Sequence, residues 1–131
     1  MKTPLLPFEV EVVPADAGVT ARAGLPLVVE TERALGLGTS VRQHVAVRER
    51  DSGYREADKV EAISLLVASG GRCLDDIGVL QSDAGLLRLL DRDSLPSANA
   101  LRNFLYAFHD EALIEKAQRE RPEGQVAYIP E

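Results

Sequence analysis

Between Ser97 and Phe108 the chain places two amides, a guanidinium and a phenol on one side of a helical period. Asn99, Arg102, Asn103 and Tyr106 follow the spacing i, i+3, i+4, i+7, so a helix brings them to one face. Such groups hydrogen-bond base edges and phosphates. Leu101, Phe104, Leu105 and Phe108 repeat the same spacing and form the opposite, apolar face. Ser97 stands where an N-cap belongs. Ordinary amphipathic helices fill the polar face with Glu and Lys, so this composition makes the helix a candidate reader of DNA. The competing explanation is a helical bundle with a solvated polar face.

The elements that must hold this helix are expected to be helical as well. Leu74 to Leu80 and Ala84 to Leu90 read as short helices, the second capped by Asp83. The turn DRDSLP then leads to Ser97. Short helices followed by a helix with polar residues near its start are compatible with a helix-turn-helix, whose second helix enters the major groove. Ser97, Asn99, Arg102 and Asn103 lie where base contacts would be made, and Arg92 in the preceding turn could hold a phosphate. A longer helix is expected from about Tyr54 to Ser69, burying Ala57, Val60, Ile63, Leu66 and Val67, with Gly70 and Gly71 stopping it. Leu25, Val28, Val29 and Leu35 mark a further helix that begins near Pro26 and ends at Gly36 and Gly38. A short helix follows at Ser40 to Val45, and a last one runs from Asp110 to about Glu120. At the N-terminus Phe8, Val10 and Val12 alternate with Glu9 and Glu11, the period of a strand. Val19 to Ala23 is expected to return as its hairpin partner.

Composition bounds these readings. With 131 residues and 45% hydrophobic content, the chain can build one real core. The expected fold class is mainly α: a compact helical domain with a helix-turn-helix-like element and a small N-terminal β-hairpin. The expected division is 1–23 for the hairpin, 24–121 for the helical DNA-recognition domain and 122–131 for a linker. The net charge of −6 counts against nucleic-acid binding, because phosphate neutralisation supplies most non-specific affinity. Acids exceed bases most clearly from Asp110 onward, six against three. Any binding by the chain alone should therefore be weak. Cys73, the single cysteine, excludes an internal disulfide and fits a reducing, cytoplasmic setting. No apolar run reaches membrane-span length, so no membrane partner is expected.

Other groups that could do chemistry have simpler explanations. Asp75–Asp76 and Asp91–Asp93 are paired carboxylates, but adjacent residues on a helix point apart, and Asp75 suits a helix N-terminus. His44 and His109 lack zinc partners at ligand spacing, so no metal site is expected. Cys73 beside Arg72 could have a reactive thiol, but burial is the simpler expectation. Gly70–Gly71 lacks the Lys-Ser/Thr of a phosphate loop, and no nucleophile motif for catalysis is present.

Several ordered blocks together resemble a family. TARAGLPLVVETERALGLGTSV, GYREADKVEAISLLVASGGRCLDDIGVLQSDAGLLRLL and LPSANALRNFLYAFHDEALI are similar to the N-terminal region of bacterial DDE-type insertion-sequence transposases. QVAYIPE resembles the segment leading into their catalytic core. The resemblance implies DNA transposition, with a helical region that binds double-stranded DNA at terminal inverted repeats. It also implies an RNase H-like domain whose acidic residues bind Mg²⁺ for attack on a phosphodiester. Only the DNA-contact role carries over, onto Ser97, Asn99, Arg102 and Asn103. No aspartate here matches the acidic triad, so the chain is expected to stop before the catalytic core and to be inactive by itself. Neither a cofactor nor a small-molecule substrate is expected for it. Its expected partners are a transposon end, another copy of itself or a full-length transposase. The alternatives are a helical interaction module that associates with or inhibits intact transposase, and a small stand-alone repressor. An independent enzyme has the least support.

Overall fold

The computed structural model describes Val12, Pro14, residues 18–47 and residues 53–119. It is mainly helical. In chain order the elements are α1 (Leu25–Ala34), α2 (Leu37–His44), α3 (Glu56–Ala68), a 3-10 turn (Leu74–Asp76), α4 (Ile77–Gln81), α5 (Ala84–Leu89), α6 (Ala98–Ala107) and α7 (Glu111–Arg119). No strand occurs among the described residues.

Among the described residues, the expected hairpin partner Val19–Ala23 is therefore not a strand. Residues 18–20 belong to no regular element, with Gly18 in the left-handed region (φ 68°), and Ala21–Gly24 form the turn into α1, where the Leu25 N–H donates to the Arg22 carbonyl at 3.0 Å. The chain here is held by side chains instead of a β-ladder, because Thr20 and Arg22 both bind Asp83 at the start of α5. Phe8 and Val10 lie outside the described residues, as does the 122–131 segment.

Helix boundaries follow from local signals. Asp83 caps α5, its Oδ1 accepting from the Leu86 N–H at 2.9 Å. Ser97 caps α6 by accepting from the Ala100 N–H at 3.2 Å. At the end of α3, Gly70 takes the left-handed conformation (φ 85°), its N–H donating to the Val67 carbonyl while the Gly71 N–H donates to Leu66. This pairing satisfies two carbonyls that a helix end would leave orphaned.

The core is built around α3, which packs against α1, α2, α4, α6 and the 3-10 turn. Leu65, Leu80, Leu86 and Leu101 are fully buried in one cluster with Leu25, Val29 and Ala62. The face expected for α3 is turned: Ala62 and Leu65 are buried with Leu66, while Val67 is exposed. An apolar helix that meets neighbours on several sides does not advertise one stripe. The apolar face of α6 is also narrower than its sequence suggests. Ala98, Leu101 and Phe104 pack inward, whereas Leu105 and Phe108 remain 40% and 42% exposed. Phe108 meets Phe104 edge-on, with ring centroids 5.2 Å apart, and is not covered further.

Candidate nucleic-acid interface

The inward row of α6 fixes what its outer face presents. With Leu101 and Phe104 buried, Asn99, Asn103 and Tyr106 are exposed and Arg102 is half-exposed. The expected stripe is thus assembled on a solvent-facing surface. Ser97 lies at its start, with its hydroxyl engaged in capping.

Arg102 is not a free cation. Its Nη1 donates to Asn99 Oδ1 at 2.6 Å, one turn back on α6. Its Nη2 donates to Asp75 Oδ1 at 3.3 Å, reaching across to the 3-10 turn. Asp76, the neighbouring acid, holds that turn in place. Its Oδ2 accepts from the backbone N–H groups of Arg72, at 2.7 Å, and Cys73, at 3.2 Å. These two backbone hydrogen bonds hold the Asp76 carboxyl below the ordinary carboxylate range. Asp76 therefore supports the helix start, the task expected of Asp75, and Asp75 is released to pair with Arg102.

Arg92 belongs to a different arrangement. The chain leaves α5 through Asp91, a non-glycine residue in the left-handed region (φ 53°), and the Arg92 N–H donates back to the Leu87 carbonyl. This reversal points the guanidinium at α3, where Nη1 donates to Asp58 at 3.1 Å and Nη2 to Glu61 at 2.6 Å. Partial burial acts to lower the Arg92 pKa, but the two carboxylates outweigh it and hold the group above its ordinary value. Arg92, Asp58 and Glu61 form one wall of a cleft of about 280 Å³, with Glu32, Arg33 and Arg42 facing it from α1 and α2. A phosphate approaching Arg92 would have to displace two carboxylates. Removing the arginine would leave both acids partly buried without their cation. Arg92→Ala is expected to lower stability by about 1–2 kcal/mol in urea titration while leaving α6 chemistry intact. An unchanged denaturation midpoint would contradict this structural role.

The connection from Leu90 to Ser97 is pinned at further points, which sets the register of α6. Tyr54 and Ser94 hydrogen-bond through their hydroxyls, and the Leu95 N–H donates to Gln81 Oε1 at 2.7 Å. Leu95 and Pro96 are buried beneath it. This is a longer, anchored connection, and α6 packs chiefly on α3 and the 3-10 turn.

Elsewhere, Cys73 is exposed, contrary to the expected burial, because it caps the 3-10 turn at the surface. Among the described residues no group of three or more His, Cys, Asp or Glu converges on a point where a metal could bind. No helix among them is long and apolar enough to cross a membrane. Asp75 is the site residue that sequence reasoning missed. It stands 27 residues from Arg102, with no spacing rule linking them. Compared with family models, curated proteins and solved structures, the chain matches none.

Proposed function

We propose that this chain is the DNA-recognition part of a DDE-type insertion-sequence transposase, binding a terminal inverted repeat without itself cutting it. A cytoplasmic setting goes with this role. The observation that carries the reading is the solvent-facing row Asn99, Arg102, Asn103 and Tyr106 on a helix whose other side is locked into the core. Side-chain amides and guanidinium groups are the usual partners of adenine and guanine edges in the major groove. The ordered sequence blocks that resemble transposase N-terminal regions supply the context. The net charge of −6 limits the electrostatic contribution, so affinity would come from a few directed contacts and would be modest.

Fluorescence anisotropy tests this with duplexes carrying the repeat ends of the encoding element and with scrambled duplexes. Repeat ends should bind tighter by about tenfold or more. Arg102→Ala and Asn103→Ala should each remove about 1–3 kcal/mol of that discrimination. Equal affinity for both duplexes, indifferent to Arg102→Ala, would sink the proposal.

A second reading, a helical association module, is favoured by one observation. Leu105 and Phe108, on the side of α6 away from the polar row, leave apolar surface uncovered at the end of the helix. No binding to either duplex, together with dimerisation in sedimentation, would favour that reading.

A further inference from the structure

We infer that Asp75 is a specificity-determining residue: by buttressing Arg102 it turns that side chain from a phosphate-binding cation into a reader of a G·C pair. The inference rests on the DNA reading of α6 and assigns the base chemistry of that surface.

Two restraints from different elements fix the guanidinium. Asn99 holds Nη1 from within α6, and Asp75 holds Nη2 from the 3-10 turn. The turn is held against α6, because Asp76 ties its start through two backbone hydrogen bonds and the turn packs on that helix. Arginine presents its donors in a planar fork, so fixing two of them orients the rest. Side-chain ordering that free arginine would undergo on binding is thus already partly complete.

Charge then selects the partner. Asp75 and Arg102 form a neutral unit at the surface, with exposures of 74% and 37%. A phosphate offers acceptors alone and would meet the Asp75 carboxylate as a like charge. The major-groove edge of a G·C pair offers both halves of the complement: guanine N7 and O6 accept from arginine, and cytosine N4 donates to a carboxylate. Asp75 Oδ1 is engaged by Arg102, while Oδ2 has no partner among the described residues. Arg102 and Asp75 therefore present donors and an acceptor side by side, as that base pair requires. An ordinary surface ion pair would contribute little to stability and nothing to base choice.

The test uses the full chain and a library of duplexes with a randomised central block, sequenced before and after selection. Wild type should enrich guanine at one position. Asp75→Ala should bind the unselected library more tightly, since a repelling carboxylate is gone. Its preference for guanine at that position should fall about fivefold or more, with other positions unchanged. Asp75→Asn keeps an acceptor for Arg102 but turns the outer oxygen into a donor, and should lose the same preference without loss of fold. Arg102→Ala should lose that preference too. If both Asp75 variants retain every base preference, or lose all preferences equally, the inference is overturned and the DNA reading stands. If wild type enriches no sequence, the DNA reading falls and the inference with it.

Discussion

Leu101→Ala should destabilise the domain by about 2–5 kcal/mol, the range found when a fully buried leucine is truncated. Leu101 has no exposed surface and shares one buried cluster with Ala62 and Leu65 of α3 and with Leu95 of the connection that precedes α6. The substitution removes apolar atoms from the core and leaves a cavity, and both effects act in the same direction. For a domain of this size the melting temperature should drop by about 10 °C or more. Alanine has the better helix propensity, but by a few tenths of a kcal/mol at most, so packing loss dominates. Because Leu101 lies directly behind the Asn99–Asn103 surface, any DNA discrimination should weaken along with stability. Urea unfolding followed by circular dichroism gives the value, and a loss below about 1 kcal/mol would show that α6 is not anchored through this residue.

Asp83→Ala is the second large effect, expected at about 2–3 kcal/mol. One carboxylate serves three partners. Oδ1 caps α5 at Leu86, and Oδ2 accepts from Thr20 Oγ1 at 2.6 Å and from Arg22 Nη1 at 3.0 Å. Residues 18–20 lie directly on α5 at this point. A Cβ on Gly85 would come within 2.5 Å of the Gly18 carbonyl oxygen, so no side chain could stand between them. Losing Asp83 therefore removes a helix cap and releases the segment that enters α1.

The same group gives a pH dependence. Burial pushes the Asp83 pKa up, but the Thr20 hydroxyl, the Leu86 N–H and the Arg22 guanidinium outweigh it and hold it below the ordinary 3.8. A carboxyl whose pKa is depressed on folding stabilises the native state above its unfolded value. That contribution is lost as pH falls through the folded value. Stability should therefore decline below about pH 4, and Asp83→Ala should show a shallower acid slope than wild type. Asp83→Asn, which retains a capping oxygen, should lose less than the alanine variant. Equal acid slopes in wild type and Asp83→Ala would remove Asp83 from this role.

The helices and their ends were legible in the sequence because their causes are local. Ser97 and Asp83 cap the helices they precede, and Gly70 closes α3, each through hydrogen bonds spanning a few residues. The polar row of α6 was legible for the same reason, since helical period alone puts Asn99, Arg102, Asn103 and Tyr106 together. The returning strand expected at Val19–Ala23 does not form, because a strand needs a partner and the Thr20 and Arg22 side chains bind Asp83 instead. The buried face of α3 was turned because that helix meets several neighbours, and no single stripe records them.

Which groups Arg92 and Arg102 meet is decided by packing. Residue order alone presents both as cations near the candidate DNA surface. Arg92 is held by Asp58, 34 residues earlier in the chain, and by Glu61, while Arg102 is shared between Asn99 and Asp75. Capping and periodicity follow from covalent neighbours and helical geometry, so residue order is enough to reveal them. An ion pair between separate elements depends on how those elements dock, and the core leucines that dock α6 and the 3-10 turn onto α3 carry no mark of which charges will meet above them.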